Sequence, residues 1–260
     1  MKISIITATW DSSTTVESAI LSVASQGYPD LEHIIVDGNS SDATLSIVFR
    51  HEGLIDKLIS EPDHGIYDAM NKGIALADGD VIGILNSDDF YANPHVLGKV
   101  ARVFEDERCE TCYGDLIYVD PTNTKRIIRY WRAGAHDPRS FYRGWMPPHP
   151  TFFVRRSVYE RCGRFNVALG TAADYELTLR LLLKHRVSTA YIPEVLVHMR
   201  SGGASNASIK SRMATIRMAN LSWRVNDLKP LPWTLTFRLL SKIVQYTRIH
   251  RGPDEKSFWA

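Results

Sequence analysis

GILNSDDFYANP, residues 83–94, is the stretch on which the fold turns. An apolar run (Val81, Ile82, Gly83, Ile84, Leu85) stops at Asn86, and two adjacent carboxylates follow, Asp88 and Asp89. Like charges at the end of a buried strand repel, and burying them costs free energy unless a cation lies beside them. A hard divalent ion, Mg²⁺ or Mn²⁺, suits such a pair, because it binds one or two carboxylates and completes its shell with phosphate oxygens. The competing reading is a solvated turn with two surface aspartates.

Upstream of this strand, two periodicities alternate. KISIITAT reads as a buried first strand, and Thr14 and Glu17 are spaced as a capping box ahead of Val16, Ile20 and Val23. LEHIIVDGNSSD reads as a strand ending at Asp37 in a polar turn. There Asp37 either accepts a hydrogen bond from a base or ribose, or forms the turn itself. A helix bearing Leu45, Val48 and Phe49 follows, then a short strand within IDKLIS. The next helix carries Ile66, Ala69, Met70, Gly73, Ile74 and Ala77, with Gly79 placed to end it. Beyond VIGILN, Asn93 and Pro94 offer a cap and first turn to a helix with Val96, Leu97, Val100 and Phe104. Strand–helix alternation over residues 1–105 predicts an α/β, doubly wound, mostly parallel sheet. Ligands of such sheets bind outside the carboxyl ends of the strands. Residues 7–10 (with Thr7 and Thr9), 37–42 and 86–89 all fall at such ends and should line one crevice.

Beyond residue 110 the pattern changes to strands at 112–120 and 125–131, a loop rich in Pro, Gly and aromatics at 134–150, and further helices. A chain of 260 residues, 44% hydrophobic and 23% charged, is an ordinary globular composition, enough for one large domain with an appendage. Its net charge of +2 is unevenly spread: residues 200–260 hold 11 Lys/Arg against 3 Asp/Glu, the first 199 hold 20 against 26. From Trp233 onward, Phe237, Leu240 and Val244 share one helical stripe, with Arg238, Lys242, Arg248 and Arg251 around it. That pattern suits a helix lying on an anionic membrane surface rather than nucleic acid, or one packed on the body or on a second copy in a homo-oligomer. Cys109 and Cys112 form a C-x-x-C with no second pair, leading into a strand rather than opening a helix, so buried inert thiols are expected. Neither a signal-like apolar segment nor a membrane span is evident, so a cytoplasmic protein, peripheral on the inner face of the plasma membrane, is expected.

Taken in order, IITATW, IIVDGNSSDAT and EPDHGIYDAMNKGIALADGDVIGILNSDD resemble the inverting family 2 glycosyltransferases of the GT-A fold. VDGNSSDAT is similar to that family's V-D-D-G-S-x-D-x-T turn, Gly65 to Gly73 to its G-x-x-x-A-x-N-x-G helix, and NSDD to its D-x-D-D motif. GTAADYELTLRLL resembles the segment bearing the catalytic base. The likeness covers roughly residues 1–200. Asn86 stands for the first aspartate of D-x-D, Gly38 for the second of V-D-D, Ala173 for a glutamate, and Met70 where many relatives have arginine, with Lys72 nearby to compensate.

The resemblance implies sugar transfer from a nucleotide-diphosphate donor (a UDP- or GDP-sugar) to a hydroxyl of a glycan or lipid-linked acceptor, assisted by Mn²⁺ or Mg²⁺. It implies donor contacts from Thr7, Thr9, Asp37, Asn71, Lys72, Asn86 and Arg200, and metal ligation by Asp88, Asp89 and His198. Asp174 becomes the base that takes the acceptor proton; as a favoured capping residue it also suits the mouth of the helix that follows. FYRGWMPPHPTFF, with Trp145 and His149, offers rings for an acceptor sugar to stack on. The implied organisation is a nucleotide-sugar half (1–105), an acceptor and catalytic half (106–205) and a basic helical extension (206–260). Two alternatives stay open: a nucleotidyltransferase, although TATWDSSTT lacks the glycine and lysine of a phosphate loop, and a degenerate nucleotide-binding subunit without catalysis.

Overall fold

The computed structural model describes residues 1–202 and 209–234, with side chains in the second span from residue 217 onward. Ile3–Thr9 forms β1, buried at every position. A strand covered on both faces is continuously apolar instead of alternating, and Ile3, Ile5, Ile6 and Ala8 give β1 that character. Through α1 (Val16–Ala24) the chain reaches β2 (Leu31–Asp37), and through α2 (Thr44–Arg50) it reaches β3 (Lys57–Ser60). Then α3 (Ile66–Leu76) leads to β4 (Val81–Ile84). β1 pairs in parallel with β2 and β4, and β2 with β3. After β5 (Asp89–Tyr91), α4 (Val96–Val103), β6 (Thr111–Val119) and β7 (Ile127–Trp131) come β8 (Phe153–Arg155), α5 (Arg156–Cys162), α6 (Ala173–Leu179), β9 (Thr189–Arg200) and α7 (Ile209–Val225). The nine strands form one sheet in the order β3-β2-β1-β4-β8-β6-β9-β5, with β7 beside β6. The alternating half is parallel; beyond β4 the sheet is mixed, since β8 runs antiparallel to β4 and β6, and β5 to β9.

Both faces carry helices. Ile6, Ala8, Ile34 and Val36 pack against Ala69, Met70 and Ile74 of α3 in a core that extends to Tyr175 of α6 and Trp223 of α7. On the other face Ile3, Ile5 and Val81 share a cluster with Val23 of α1 and Val96, Leu97 and Val100 of α4. Gly73 sets how closely α3 lies on β1: a Cβ there would come 2.3 Å from Ile6 Cγ2.

Four local expectations change. Helix α1 starts at Val16 with Thr15 as its cap and no side-chain capping bond, because Glu17 pairs instead with His51 Nε2 at 2.8 Å. In α2 the inward residues are Ile47 and Val48, while Phe49 is exposed. Gly79 does not end α3; it lies against β1, donating its N–H to Ser4 Oγ at 2.9 Å, and a Cβ would strike that oxygen. His95 caps α4, two residues beyond the expected cap Asn93, whose side chain instead accepts the His95 N–H at 3.0 Å.

At the edge remote from the strands' carboxyl ends, buried Glu32 gathers Ser4 Oγ–H, the Asp78 N–H (3.0 Å) and the ammonium groups of Lys2 and Lys57 (3.0 Å each). Burial would raise its pKa, but these donors outweigh burial and hold the carboxyl down at about 2. The thiols of Cys109 and Cys112 are unpaired, and burial pushes both up.

The start of the C-terminal extension docks on the body. Trp223 is fully buried and its Nε1–H donates to Tyr175 Oη at 2.9 Å; Asn226 donates to Glu176 Oε1 at 2.9 Å. Thr234, also buried, donates to the Tyr142 carbonyl at 2.8 Å. The stripe of Phe237, Leu240 and Val244 with its basic neighbours lies outside the described residues. Among the described residues no helix is long and apolar enough to cross a membrane.

Candidate active site

The ends of β1, β2 and β4 come together at one polar site, where the Gly38 N–H donates to the Thr9 carbonyl at 2.9 Å and Ser87 reaches Ser12. Asp37 does not open into this site. Its carboxylate is fully buried and accepts from the Ser40 N–H (3.0 Å), the Ser40 hydroxyl and the Ser60 hydroxyl (2.7 Å). The turn-forming reading of Asp37 is the one the structure adopts. Asp11 (φ 44°) and Asn39 (φ 63°) take left-handed backbone conformations. Such strain persists only where neighbours over-determine it: Asp11 Oδ1 accepts from the Ser41 N–H at 2.8 Å, and Asp42 Oδ2 accepts from the Ser13 N–H at 3.0 Å. Trp10, at the start of this braced turn, is 67% exposed. Ser87 Oγ–H donates to Ser12 Oγ at 2.9 Å and ties the end of β4 to the turn. Thr7 lies inside the sheet, hydrogen-bonded to His33 Nε2 at 3.1 Å, and so is withdrawn from the crevice. Thr9 Oγ1 is buried without a hydrogen-bond partner among the described residues.

Asp88 and Asp89 follow β4. Burial raises the Asp88 carboxyl, and burial together with repulsion from Asp88 pushes Asp89 well above the usual carboxylate range. Asn86 Nδ2–H donates to Asp89 Oδ2 at 3.2 Å, while Asp89 Oδ1 and Asn86 Oδ1 are buried without hydrogen-bond partners among the described residues. The chain's own cation here is Arg200, at the end of β9. Its guanidinium donates to the Asp88 carbonyl (2.6 Å) and Ser18 Oγ (3.1 Å) and its charge favours both ionised carboxyls. Arg200 offsets the pair only in part. An orphaned, buried carboxylate oxygen beside a second carboxylate fits a hard divalent ion that draws its other ligands from phosphate and water.

Asp174 is the second residue of α6, with Ala172 as the cap, so it sits in the first turn and not at the capping position. Its Oδ1 accepts the Tyr175 N–H at 2.6 Å. His149 lies in a short 3₁₀ turn, His149–Thr151, and its Nδ1 is 3.6 Å from Asp174 Oδ2. Burial lowers the His149 pKa, opposed by the charges of Asp174 and Asp88, so this imidazole is within electrostatic reach of both carboxylates. Trp145 belongs to the wall behind: its Nε1–H donates to the Ala133 carbonyl at 2.7 Å, and Phe141 meets it edge-on at 5.2 Å.

Three expected contacts are diverted. Asn71 bonds both the N–H and the carbonyl of Phe165 (2.9 Å each), so its amide clamps a loop instead of facing the crevice. Lys72 turns to Glu61 (2.8 Å) and the Pro62 carbonyl (2.9 Å). His198 pairs with Phe90 across β5 and β9, whereas Asp89 pairs with Met199. Adjacent residues of a strand face opposite ways, so His198 and Asp89 point apart. Burial lowers the His198 imidazole to about 4, and it rests edge-on to Phe90 at 5.1 Å. Accordingly, no group of three or more His, Cys, Asp or Glu among the described residues is arranged to hold a metal. Ser12, Ser18 and Ser87 brace the site without any signal in the sequence beyond their neighbours.

The glycosyl transferase family 2 profile matches residues 4–163. A PGL/p-HBAD biosynthesis glycosyltransferase of Mycobacterium tuberculosis is 32% identical over 212 residues, covering 79% of this chain and 80% of that one. The O-antigen biosynthesis protein RfbC of Myxococcus xanthus is 28% identical over 235 residues, covering 84% of this chain and 17% of RfbC. Among solved structures, S. aureus TarS 1–349 in complex with UDP-GlcNAc superposes with a TM-score of 0.67 at 17% identity, covering 100% of this chain and 78% of TarS 1–349. The mannosyltransferase PcManGT of Pyrobaculum calidifontis, in complex with GDP-Man and Mn²⁺, gives 0.64 at 16% identity, covering 97% and 76%. The chain belongs to glycosyl transferase family 2 and has the GT-A fold. It is a glycosyltransferase.

Proposed function

We propose that the protein moves a sugar, with inversion, from a nucleotide-diphosphate donor to a hydroxyl of a glycan or lipid-linked acceptor. The observation that carries this is the place of His149, 3.6 Å from Asp174 at the mouth of α6 and within reach of the charge of Asp88, the first of the Asp88–Asp89 pair beyond β4. One carboxylate accepts a proton while the other two face a leaving group. The acceptor O–H gives its proton to Asp174 Oδ2 as the oxygen bonds the anomeric carbon, and the bond from that carbon to the diphosphate breaks, its electron pair leaving with the nucleotide. Asp88 and Asp89 would hold a divalent cation, which when bound neutralises charge on the departing diphosphate. The complexes of TarS with UDP-GlcNAc and of PcManGT with GDP-Man and Mn²⁺ support this donor class and this ion.

The division of labour follows the sheet: residues 1–105 form the donor side, 106–205 the acceptor side with Asp174, Trp145 and His149. The basic segment beyond residue 206 draws this cytoplasmic enzyme to an anionic membrane leaflet. Incubation with a panel of nucleotide sugars and Mn²⁺ tests the reading through release of nucleotide diphosphate. Pyrophosphate release from nucleoside triphosphates would mark a nucleotidyltransferase instead, and binding without turnover a partner subunit.

A further inference from the structure

His149 has a rigidity that an acceptor-contacting surface histidine does not need. Pro147, Pro148 and Pro150 fix the backbone around it, because each proline ring locks its φ. Fully buried Thr151 pins the turn to β6, where its Oγ1–H lies 2.9 Å from both the Gly114 and Pro148 carbonyls, and Oγ1 accepts the Gly114 N–H at 3.3 Å. The Phe152 N–H closes the turn on the His149 carbonyl at 3.1 Å. All this holds one side chain, 22% exposed, with Nδ1 directed at Asp174.

The two oxygens of Asp174 are held unequally. Oδ1 accepts the main-chain N–H of Tyr175 at 2.6 Å, the one hydrogen bond to this carboxylate among the described residues. Oδ2, 16% exposed as part of its side chain, has His149 Nδ1 as its neighbour at 3.6 Å. That separation exceeds a hydrogen bond, and pairs of this kind tighten when substrates order the site.

We infer that His149 is a positioning residue for the base: its Nδ1–H donates to Asp174 Oδ2 and fixes the plane of the carboxylate, leaving the second lone pair of Oδ2 for the acceptor hydroxyl. The inference rests on the assignment of Asp174 as base. Contact with Asp174 also sets the tautomer, with the proton on Nδ1 and Nε2 free to accept. Burial favours the neutral ring, and the two carboxylates bearing on it, Asp174 and Asp88, oppose that. A neutral donor suffices, so the role requires no proton to pass through the imidazole.

Two measurements on the full chain test this. In ¹⁵N-resolved NMR of the imidazole at neutral pH, His149 should be the Nδ1–H tautomer in the wild type and revert towards Nε2–H in Asp174→Ala. For kinetics, hydrolysis of UDP-N-acetylglucosamine or GDP-mannose serves, with water in place of the acceptor. His149→Ala should lower kcat about ten- to a hundredfold, the range typical of groups that orient a reacting ligand, with nucleotide-diphosphate affinity unchanged. His149→Asn keeps an N–H near the Nδ1 position and should recover to within about threefold of wild type, each variant being checked by thermal unfolding. An Nε2–H tautomer in the wild type overturns the inference, as does His149→Asn as impaired as His149→Ala. A wild type that hydrolyses neither donor would count against the functional reading, while the tautomer would still decide the pair.

Discussion

At the residue scale, Asp88 and Asp89 are two carboxyls crowded together just beyond the end of β4. Without a cation, burial and mutual repulsion both penalise their ionisation, and Arg200 relieves only part of that cost. Asp88→Ala should therefore act in opposite directions on the two states. The metal-free protein should unfold at a higher temperature, because the repulsion that Asp88 exerts on the buried Asp89 carboxyl is relieved. Mn²⁺-dependent nucleotide binding should be lost in titration calorimetry. Nucleotide affinity equal to wild type in Mn²⁺ would remove these carboxylates from donor binding. The sequence announces such a carboxylate but not its direction. Asp37 and Asp88 both end buried strands, yet Ser40 and Ser60 turn Asp37 inward while nothing satisfies Asp89 Oδ1 among the described residues. Asn71 illustrates the same limit, since its partner Phe165 lies 94 residues away.

At the scale of elements, the alternating periodicities of residues 1–105 made the parallel half legible, since each βα unit buries its own apolar face against the sheet. Strands β5 and β8, three residues each, are too short to display a period, and β8 enters the sheet by pairing with β4 and β6, which no local pattern encodes. The capping box failed because His51 competes for Glu17, a partner distant in sequence. Glu32 holds three such elements together: β1 through Ser4, β3 through Lys57, and the turn before β4 through the Asp78 N–H. Its folded pKa, about 2 against 4.5, is depressed, so its stabilisation is present above about pH 4.5 and is lost as pH falls towards 2. The shift corresponds to about 3 kcal/mol. In urea unfolding, wild type should lose that much more stability between pH 5 and 2 than Glu32→Gln. Parallel pH profiles for the two would show that the cluster contributes packing and not charge.

For the whole molecule, the question is how a chain that is acidic through residue 199 uses the basic remainder. Helix α7 packs on α6 through Trp223, behind the turn that carries Asp174, so the start of the extension braces the first turn of α6. Leu231 and Trp233 stay exposed where the basic tail begins. Each Lys or Arg near an anionic leaflet contributes about 1 kcal/mol, so on the proposed reading the four from Arg238 to Arg251 would supply roughly 4 kcal/mol, enough for reversible attachment. The full chain should co-sediment with anionic phospholipid vesicles, less so at high salt. A chain ending at Thr234 should not, while keeping its nucleotide affinity; equal sedimentation of the two would leave the tail without that role. The central claim, that Asp174 accepts the proton of the attacking hydroxyl, is tested most directly by the turnover of Asp174→Asn measured on the same preparation as its nucleotide affinity. The substitution keeps the side chain's size and its place in the first turn of α6. The account predicts wild-type nucleotide binding with kcat lower by about a hundredfold or more; turnover within a few fold of wild type would contradict it.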